Sequence, residues 1–283
     1  MFRKILLATD FSKPATMLIE CIGELARIGL QEVILVHVLD SRLNSEGVQE
    51  LKDSNEEKLS QIVKDIAELN LKTTTYSLVG VPSEEISRIS ESEKVDLIIM
   101  GSVGQKSLKE YILGSTVSEV AQKSSIPLLI EKFKTNGEDV ALACTRKLHR
   151  VLIPVDFSSN NQIIIDFIKK LAGVVDEVIL THVVEEALSE DQLSQIKPEI
   201  QRRLDHLAAD LAAMWINVRT TIESGQVSDE IKKLAEAKEV SLIALSSRGV
   251  GKIKHVLMGT TADTIIRGSS KPILLFPYKA LNL

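Results

Sequence analysis

A repeated spacing of glycines and hydroxyl residues is the feature of this chain with the clearest chemistry. The pattern is G-x2-G-x9-G-[ST], and its members are Gly101, Gly104, Gly114, Ser115 and Thr116. It follows the apolar run of residues 97–100, which is typical of a strand buried on both faces. Glycines let backbone N–H groups approach a ligand, and a helix N-terminus favours anions. The pattern predicts a phosphate-binding loop; ordinary strand-to-helix punctuation, with Ser115 as an N-cap, is the alternative.

The same pattern occurs again near the other end of the chain. Its members there, 145 positions further on, are Ser246, Gly249, Gly259, Thr260 and Thr261. The segment Glu-Val-Ile-Leu of residues 32–35 also recurs at 177–180, and Asp-Phe-Ser of residues 10–12 recurs at 156–158. An internal duplication fixes the number of domains. We therefore predict one domain over residues 1–133, a linker over 134–149 and a second copy over 150–283.

Composition limits the classes of partner. The 283 residues carry a net charge of −5, and no basic run interleaves with aromatic residues, which argues against nucleic acid or an anionic membrane as a partner. There is no leader-like N-terminus and no apolar stretch of membrane-spanning length. Cys21 and Cys144 have neither metal-type nor redox-type spacing. We expect a cytoplasmic protein.

Strand-like and helix-like segments alternate through both copies, which predicts an α/β fold with two tandem, doubly wound, five-stranded parallel sheets of Rossmann-like type. In such a sheet a ligand binds beyond the carboxyl ends of the strands, where the strand order reverses. The first strand leads into Asp10 and the fourth ends at Gly101. An acid beside a glycine loop suits a nucleotide, although an N-cap or turn role for Asp10 is equally consistent with its position.

The residues at these strand ends resemble those of the universal stress protein family, in its ATP-binding branch. In the first copy the matching segments are Thr9-Asp10-Phe11-Ser12, His37-Val38 and Met100-Gly101-x2-Gly104-x9-Gly114-Ser115. In the second copy they are Pro154-Val155-Asp156-Phe157-Ser158, His182-Val183 and Arg248-Gly249-x9-Gly259-Thr260. The resemblance covers both copies and leaves out only the linker.

That resemblance implies strand order 3-2-1-4-5 and an adenine nucleotide, AMP or ATP, with or without Mg²⁺. By it, Asp10 addresses the adenosine, the Val38 backbone contacts adenine, and the glycine loop with its hydroxyl pair holds the phosphates. The implied site residues of the first copy are Ala8, Thr9, Asp10, Val38, Met100, Gly101, Gly104, Gly114, Ser115 and Thr116. Those of the second copy are Pro154, Val155, Asp156, Val183, Ser246, Gly249, Gly259, Thr260 and Thr261.

The two copies depart from the family pattern in different ways. Ser246 replaces the first glycine in the second copy, which adds a side chain where the loop is tight. Ala8 stands where the family often has the proline that the second copy keeps as Pro154. Val117 and Ala262 stand where a further hydroxyl is common. The first copy is the expected site, and a second site in the second copy stays open as an alternative.

No residue constellation for catalysis accompanies these loops. His37 and His182 are equivalent, but flanking valines favour buried structural roles over catalysis. The sequence favours a nucleotide-binding stress-response regulator. A slow Mg²⁺-dependent nucleotide hydrolase, in which Asp10 holds the metal, and a non-binding protein-interaction module are the alternatives.

The last strand of each copy is apolar and lies at a sheet edge. Residues 126–130 and 272–276 would be exposed unless they were paired. The family commonly dimerises through this strand, so we expect the two edges to pair within one chain. By analogy with tandem family members, two chains are expected to form a homodimer.

Overall fold

A computed structural model describes residues 2–42, 48–103, 113–136, 139–185, 190–249 and 258–277. The chain divides into two compact units, residues 1–145 and 146–283. Within the described ranges, none of the helices is long and apolar enough to cross a membrane.

Unit 1 alternates strands and helices and then adds a short hairpin. Its elements are β1 Lys4–Ala8, α1 Lys13–Ala26, β2 Glu32–Asp40, α2 Val48–Ala67, β3 Lys72–Gly80, α3 Pro82–Ser92, β4 Leu97–Gly101, α4 Ser115–Lys123, β5 Leu128–Glu131, β6 Phe133–Asn136 and β7 Asp139–Leu142. The first five strands are parallel and lie in the order β3-β2-β1-β4-β5, which confirms the predicted order.

The sheet of unit 1 forms because its central strands are apolar on both faces. Residues 5–7 of β1 and 97–99 of β4 are almost completely buried. Helix α1 contributes Leu18, Ile22 and Leu25, which are spaced along one helical face and are all buried. Burial of both faces by helices is what an all-parallel sheet requires.

Part of the segment predicted as a linker is regular. β6 and β7 pair antiparallel, from Phe133 opposite Leu142 to Asn136 opposite Asp139. Each strand has only four residues, so neither is long enough to give a clear period of two in the sequence. The hairpin matters for the site, since the Phe133 ring packs against the end of β4.

Unit 2 repeats the five-stranded arrangement. Its elements are β8 Arg150–Pro154, α5 Ser159–Lys169, β9 Glu177–Val184, α6 Glu190–Ala212, β10 Asn217–Ser224, α7 Val227–Ala237, β11 Leu242–Ser246, α8 Thr260–Gly268 and β12 Ile273–Phe276. The strands are parallel in the order β10-β9-β8-β11-β12, again 3-2-1-4-5. In each unit the first strand therefore lies between the second and the fourth.

Candidate functional site

The acid of the first copy lies in a tight turn between β1 and α1. Ser12 donates from its backbone N and from its Oγ to Asp10 Oδ1, at 3.0 and 2.5 Å. The Ser12 hydroxyl also accepts from the backbone N of Ala15 at 3.3 Å, which makes Ser12 the N-cap of α1. Asp10 is therefore not the cap itself. Its carboxylate is fixed by the turn at the carboxyl end of the sheet.

A phenylalanine follows the acid in a left-handed backbone conformation in both units. Phe11 has φ 60° and Phe157 has φ 59°. A bulky residue in this region stores local strain, and such strain concentrates at functional sites. Each ring packs on the histidine of the neighbouring strand, with centroids 4.2 Å apart for Phe11 and His37 and 4.8 Å for Phe157 and His182. Sequence reasoning missed this conformation, since neither turn contains glycine.

His37 joins the acid turn to β2 and α2. Its Nδ1 lies 2.9 Å from the carbonyl oxygen of Thr9, which can only accept, so Nδ1 carries the proton. Its Nε2 then accepts from Asn55 Nδ2 at 3.1 Å. Burial lowers the pKa of His37, against an opposing effect of the Thr9 hydrogen bond. A neutral ring with both nitrogens engaged supports the structural interpretation of His37 over a catalytic one.

A cation covers the phenylalanine in each unit. Lys58 Nζ lies 5.4 Å from the Phe11 ring centroid, and the Arg203 guanidinium carbon lies 3.9 Å from that of Phe157. The two cations occupy equivalent positions 145 residues apart. Sequence reasoning missed them, because one basic residue on a long polar helix carries no specific signal.

The other side of the first crevice is the β4–α4 connection. Ser102 N donates to Glu131 O and Gly114 N donates to Ser102 O, both at 2.8 Å. Both ends of the β4–α4 connection therefore lie at Ser102. Gly104 lies outside the described residues. Gly114 is the N-cap of α4 and has no side chain to cap the helix. The backbone N–H groups of residues 115–117 therefore lack an intrahelical or N-cap acceptor, and the first intrahelical bond is from Ser118 N to Gly114 O at 3.0 Å.

Gly101 has a packing reason to be glycine. A Cβ there would lie 3.1 Å from the Phe133 ring and 3.3 Å from the Val103 carbonyl oxygen. Packing against Phe133 therefore explains this glycine as well as the predicted approach of a ligand does. Of the other residues implied for the first copy, Thr9 and Met100 are buried, whereas Ala8, Val38 and Thr116 are half-buried and Ser115 is exposed.

The acid turn of the second copy uses different hydrogen bonds. Asp156 Oδ1 accepts from Ser158 N at 3.0 Å, as in the first copy. Asp156 N, however, donates to Asn161 Oδ1 at 3.0 Å, and Asn161 Nδ2 donates to Pro154 O at 3.3 Å. His182 Nδ1 lies 2.7 Å from the Val155 carbonyl oxygen, the counterpart of the His37 contact. Val183 is buried on the same strand.

The second copy brings its acid and its glycine loop together. A Cβ on Gly249 would lie 2.5 Å from Asp156 Oδ2, so a side chain there would force the Asp156 carboxylate to move. The Arg248 carbonyl accepts from Asn160 Nδ2 at 3.3 Å and from the Ser246 hydroxyl. Helix α8 begins after Gly259, and Thr260 and Thr261 are exposed at its first turn. This is the juxtaposition that the topology predicted for an acid and a glycine loop.

The described ranges contain no group of three or more His, Cys, Asp or Glu residues arranged to hold a metal ion. A nucleotide-bound Mg²⁺ makes smaller demands, because it usually takes one or two carboxylates together with phosphates and water. Asp10 could be such a carboxylate if the phosphates of a nucleotide lay between it and the N-terminus of α4.

Comparison with known proteins identifies the fold family. The model of the universal stress protein family matches residues 1–132 and again residues 147–277. Universal stress protein MJ0577 of Methanocaldococcus jannaschii is 36% identical over 159 residues, which are 48% of this chain and 98% of that protein. Universal stress protein MJ0531 of the same organism is 31% identical over 141 residues, which are 47% of this chain and 83% of that protein.

A solved structure covers the whole arrangement. The crystal structure of a universal stress protein from Archaeoglobus fulgidus DSM 4304 superposes with a TM-score of 0.77 and 25% identity, over 98% of this chain and 99% of that one. The two family matches, the α/β units and the strand orders all agree. The chain belongs to the universal stress protein family and carries two of its domains in tandem.

Proposed function

We propose that this protein is an adenine-nucleotide-binding stress-response regulator that binds AMP or ATP in its first copy. The observation that carries the proposal is the N-terminus of α4, which opens from a glycine at the same sheet edge as the fixed carboxylate of Asp10. Family membership supports the stress-response role. The resemblance of the loop to the ATP-binding branch supports the ligand class.

The residues of the first copy fit a phosphate group. The first turn of α4 contains Ser115 and Thr116 and no acid, so its free N–H groups and hydroxyls present donors in a field that favours anions. Gly114 adds no side chain to this approach. Asp10 addresses the adenosine moiety, and the half-buried Val38 offers its backbone to adenine.

The geometry favours a regulator over a hydrolase. Hydrolysis needs a group that accepts a proton from water, and the nearest histidine, His37, has both ring nitrogens engaged by Thr9 and Asn55. Asp10 Oδ1 already accepts two hydrogen bonds from Ser12. The alternative, a slow Mg²⁺-dependent hydrolase, would rest on Asp10 alone.

The test is calorimetric titration of the purified chain with ATP, ADP and AMP, with and without Mg²⁺, for the wild type and the variants Gly114→Asp and Gly259→Asp. Both glycines have backbone angles open to other residues, and a Cβ at either would lie 3.6 Å from its nearest neighbour atom. An N-cap aspartate changes helix stability by only a few tenths of a kcal/mol relative to glycine. Both variants should therefore fold.

The expected result is one nucleotide per chain for the wild type and for Gly259→Asp. For Gly114→Asp we expect affinity at least about 100-fold weaker, because a carboxylate would occupy the phosphate position (about 2.7 kcal/mol). Unchanged affinity in Gly114→Asp would contradict the proposal. Phosphate release from ATP above that of an Asp10→Ala variant would transfer the function to the hydrolase alternative.

We also propose that two chains form a homodimer in the cytoplasm. The support is the analogy with tandem members of the universal stress protein family, since the apolar last strand of each copy is expected to pair within one chain. Light scattering coupled to size exclusion should give twice the chain mass of 31.2 kDa. A monomer mass at micromolar concentration would remove this part of the proposal.

A further inference from the structure

The hairpin of β6 and β7 lies outside both family matches, which end at residue 132 and resume at residue 147. It belongs to unit 1. Its strands pair antiparallel over four residues each, and Val140 and Leu142 are buried. A two-stranded hairpin is at best marginally stable by itself. The hairpin therefore depends on the elements that it packs against.

The base of the hairpin is anchored at the start of the first glycine loop. The last carbonyl of β5 accepts from Ser102 N at 2.8 Å, and the next carbonyl, that of Lys132, accepts from Ala143 N at 2.8 Å. The Phe133 ring then occupies the space beside Gly101, where a Cβ would lie 3.1 Å from the ring. The first residues of the loop and the first residue of β6 are thus packed together.

The hairpin also reaches the helix that follows the acid turn. Strand β7 packs against α1, and Asp139 Oδ1 lies 3.8 Å from Nζ of Lys13, the first residue of α1. This exposed ion pair adds little stability, but it shows where the hairpin lies. Lys13 follows Asp10 by three positions, and β1 and β4 are neighbours. The hairpin therefore contacts elements on both sides of the crevice that is predicted between the acid turn and the loop after Gly101.

These contacts have a thermodynamic consequence. A ligand between the acid turn and the glycine loop would restrain the distance between them, and the packing of the hairpin depends on that same distance. Ligand and hairpin would then favour the same arrangement. By linkage, each would stabilise the other by the same free energy.

We propose that the hairpin couples nucleotide binding in the first copy to the segment that joins the two copies, with Phe133 as the positioning residue that sets the start of the glycine loop. The inference rests on the proposed function, because it needs a nucleotide in the first copy. Bound ATP holds the hairpin closed, and the closed hairpin raises the affinity for ATP. The occupancy of the first site is thereby reported at residues 133–142.

The experiment uses the full-length chain and two measurements. Calorimetric titration gives the affinity for ATP, and hydrogen exchange follows the backbone amides of β6 and β7 with and without saturating ATP. Phe133→Ala removes the ring, and Phe133→Leu keeps an apolar side chain in its place. Phe167→Ala is the matched control, because it truncates another half-buried phenylalanine, whose ring packs against Phe276 in unit 2 at 5.1 Å between centroids.

In the wild type, ATP should slow exchange in the hairpin by about 5- to 10-fold. Phe133→Ala should weaken ATP binding by a similar factor, because the coupling free energy is the same in both directions. Phe133→Leu should recover part of the affinity. Phe167→Ala should keep the affinity of the wild type and the response of its hairpin to ATP.

The outcomes separate the inference from the proposed function. Wild-type binding of ATP without any change of exchange in the hairpin would overturn the inference and leave the proposed function intact. Equal losses of affinity in Phe133→Ala and Phe167→Ala would also overturn it, because the ring would then act through stability alone. No binding of ATP by the wild type would refute the proposed function and the inference together.

Discussion

The two acid turns have the same backbone but are built from different hydrogen bonds. Both place phenylalanine at φ near 60° after the acid and tie a strand histidine to the carbonyl before it. In the first, the Ser12 hydroxyl closes on Asp10. In the second, the buried Ser158 hydroxyl has no partner within the part of the chain that the structure describes. The comparison teaches that topology fixes this turn, while its side-chain partners are free to diverge.

The proposed function separates the two copies, because it assigns the nucleotide to the first. In the described residues, Asp10 Oδ1 accepts from Ser12 within its own turn, and Asp156 Oδ2 lies beside Gly249 in the second copy. Exchanges of equivalent residues between the copies can therefore test which contacts make the difference.

The largest expected difference concerns the two acids. Asp10→Ala should weaken ATP binding about 10- to 100-fold, because loss of a hydrogen bond to a charged group costs about 1.5–3 kcal/mol. Asp156→Ala should leave the affinity of the first copy unchanged. Calorimetric titration measures both. A larger loss from Asp156→Ala than from Asp10→Ala would reverse the assignment of the copies.

The next effect concerns the partner of the buried histidine. Asn55 corresponds to the buried Ile200 of the second copy, so Asn55→Ile gives the first copy the apolar residue of the second. It leaves His37 Nε2 without its amide donor, and we expect a loss of about 1–3 kcal/mol in unfolding free energy at pH 7. Urea unfolding measures this. Wild-type stability in the variant would show that the amide is not needed there.

The histidine also gives the first copy a pH-dependent term. Burial, assisted slightly by Lys58 and opposed by the Thr9 hydrogen bond and by Asp10, holds the pKa of His37 below its ordinary value of 6.5. As pH falls through 6.5, the unfolded chain takes up a proton that the folded chain resists. The stability contribution of neutral His37 is complete above 6.5 and declines below it, by at most about 1.4 kcal/mol per pH unit.

Comparison with His37→Gln isolates that term. The unfolding free energies of wild type and variant should differ most at pH 7, and the difference should shrink toward pH 5. A difference that is constant over this range would mean that His37 has the same pKa folded and unfolded.

The smallest effects should come from the helix termini. Ser118→Asp gives α4 the first-turn acid that α8 has in Asp263. It should weaken ATP binding by about 2- to 5-fold, because the new carboxylate repels the phosphates and competes with them for the helix N-terminus, an interaction of about 0.3–1 kcal/mol. The reverse change, Asp263→Ser, should leave the nucleotide count at one while costing about 0.3–0.5 kcal/mol of stability with the loss of the Arg267 pair. An increase in affinity in Ser118→Asp would exclude charge at this turn as a factor.

Sequence patterns could predict two parallel sheets, because buried apolar runs and an internal repeat are strong signals in any one chain. The strand order was implied only by the resemblance to the family. With the first and fourth strands as neighbours, the patterns also predict that Asp10 and the loop after Gly101 lie at one sheet edge. They could not predict the left-handed conformation of Phe11, because its turn contains no glycine and its ring contacts His37 on another strand. The hydrogen bond from Asn160 to the Arg248 carbonyl joins residues 88 positions apart. An asparagine near a helix start has too many other hydrogen-bonding roles for the sequence to indicate this one.

The most direct measurement is mass spectrometry of the small molecules released when the purified full-length chain is denatured, with Gly114→Asp and Gly259→Asp prepared in the same way. The account predicts one adenine nucleotide per chain from the wild type and from Gly259→Asp, and none from Gly114→Asp. Nucleotide that is retained by Gly114→Asp but lost from Gly259→Asp would contradict it, because the second copy would then be the site.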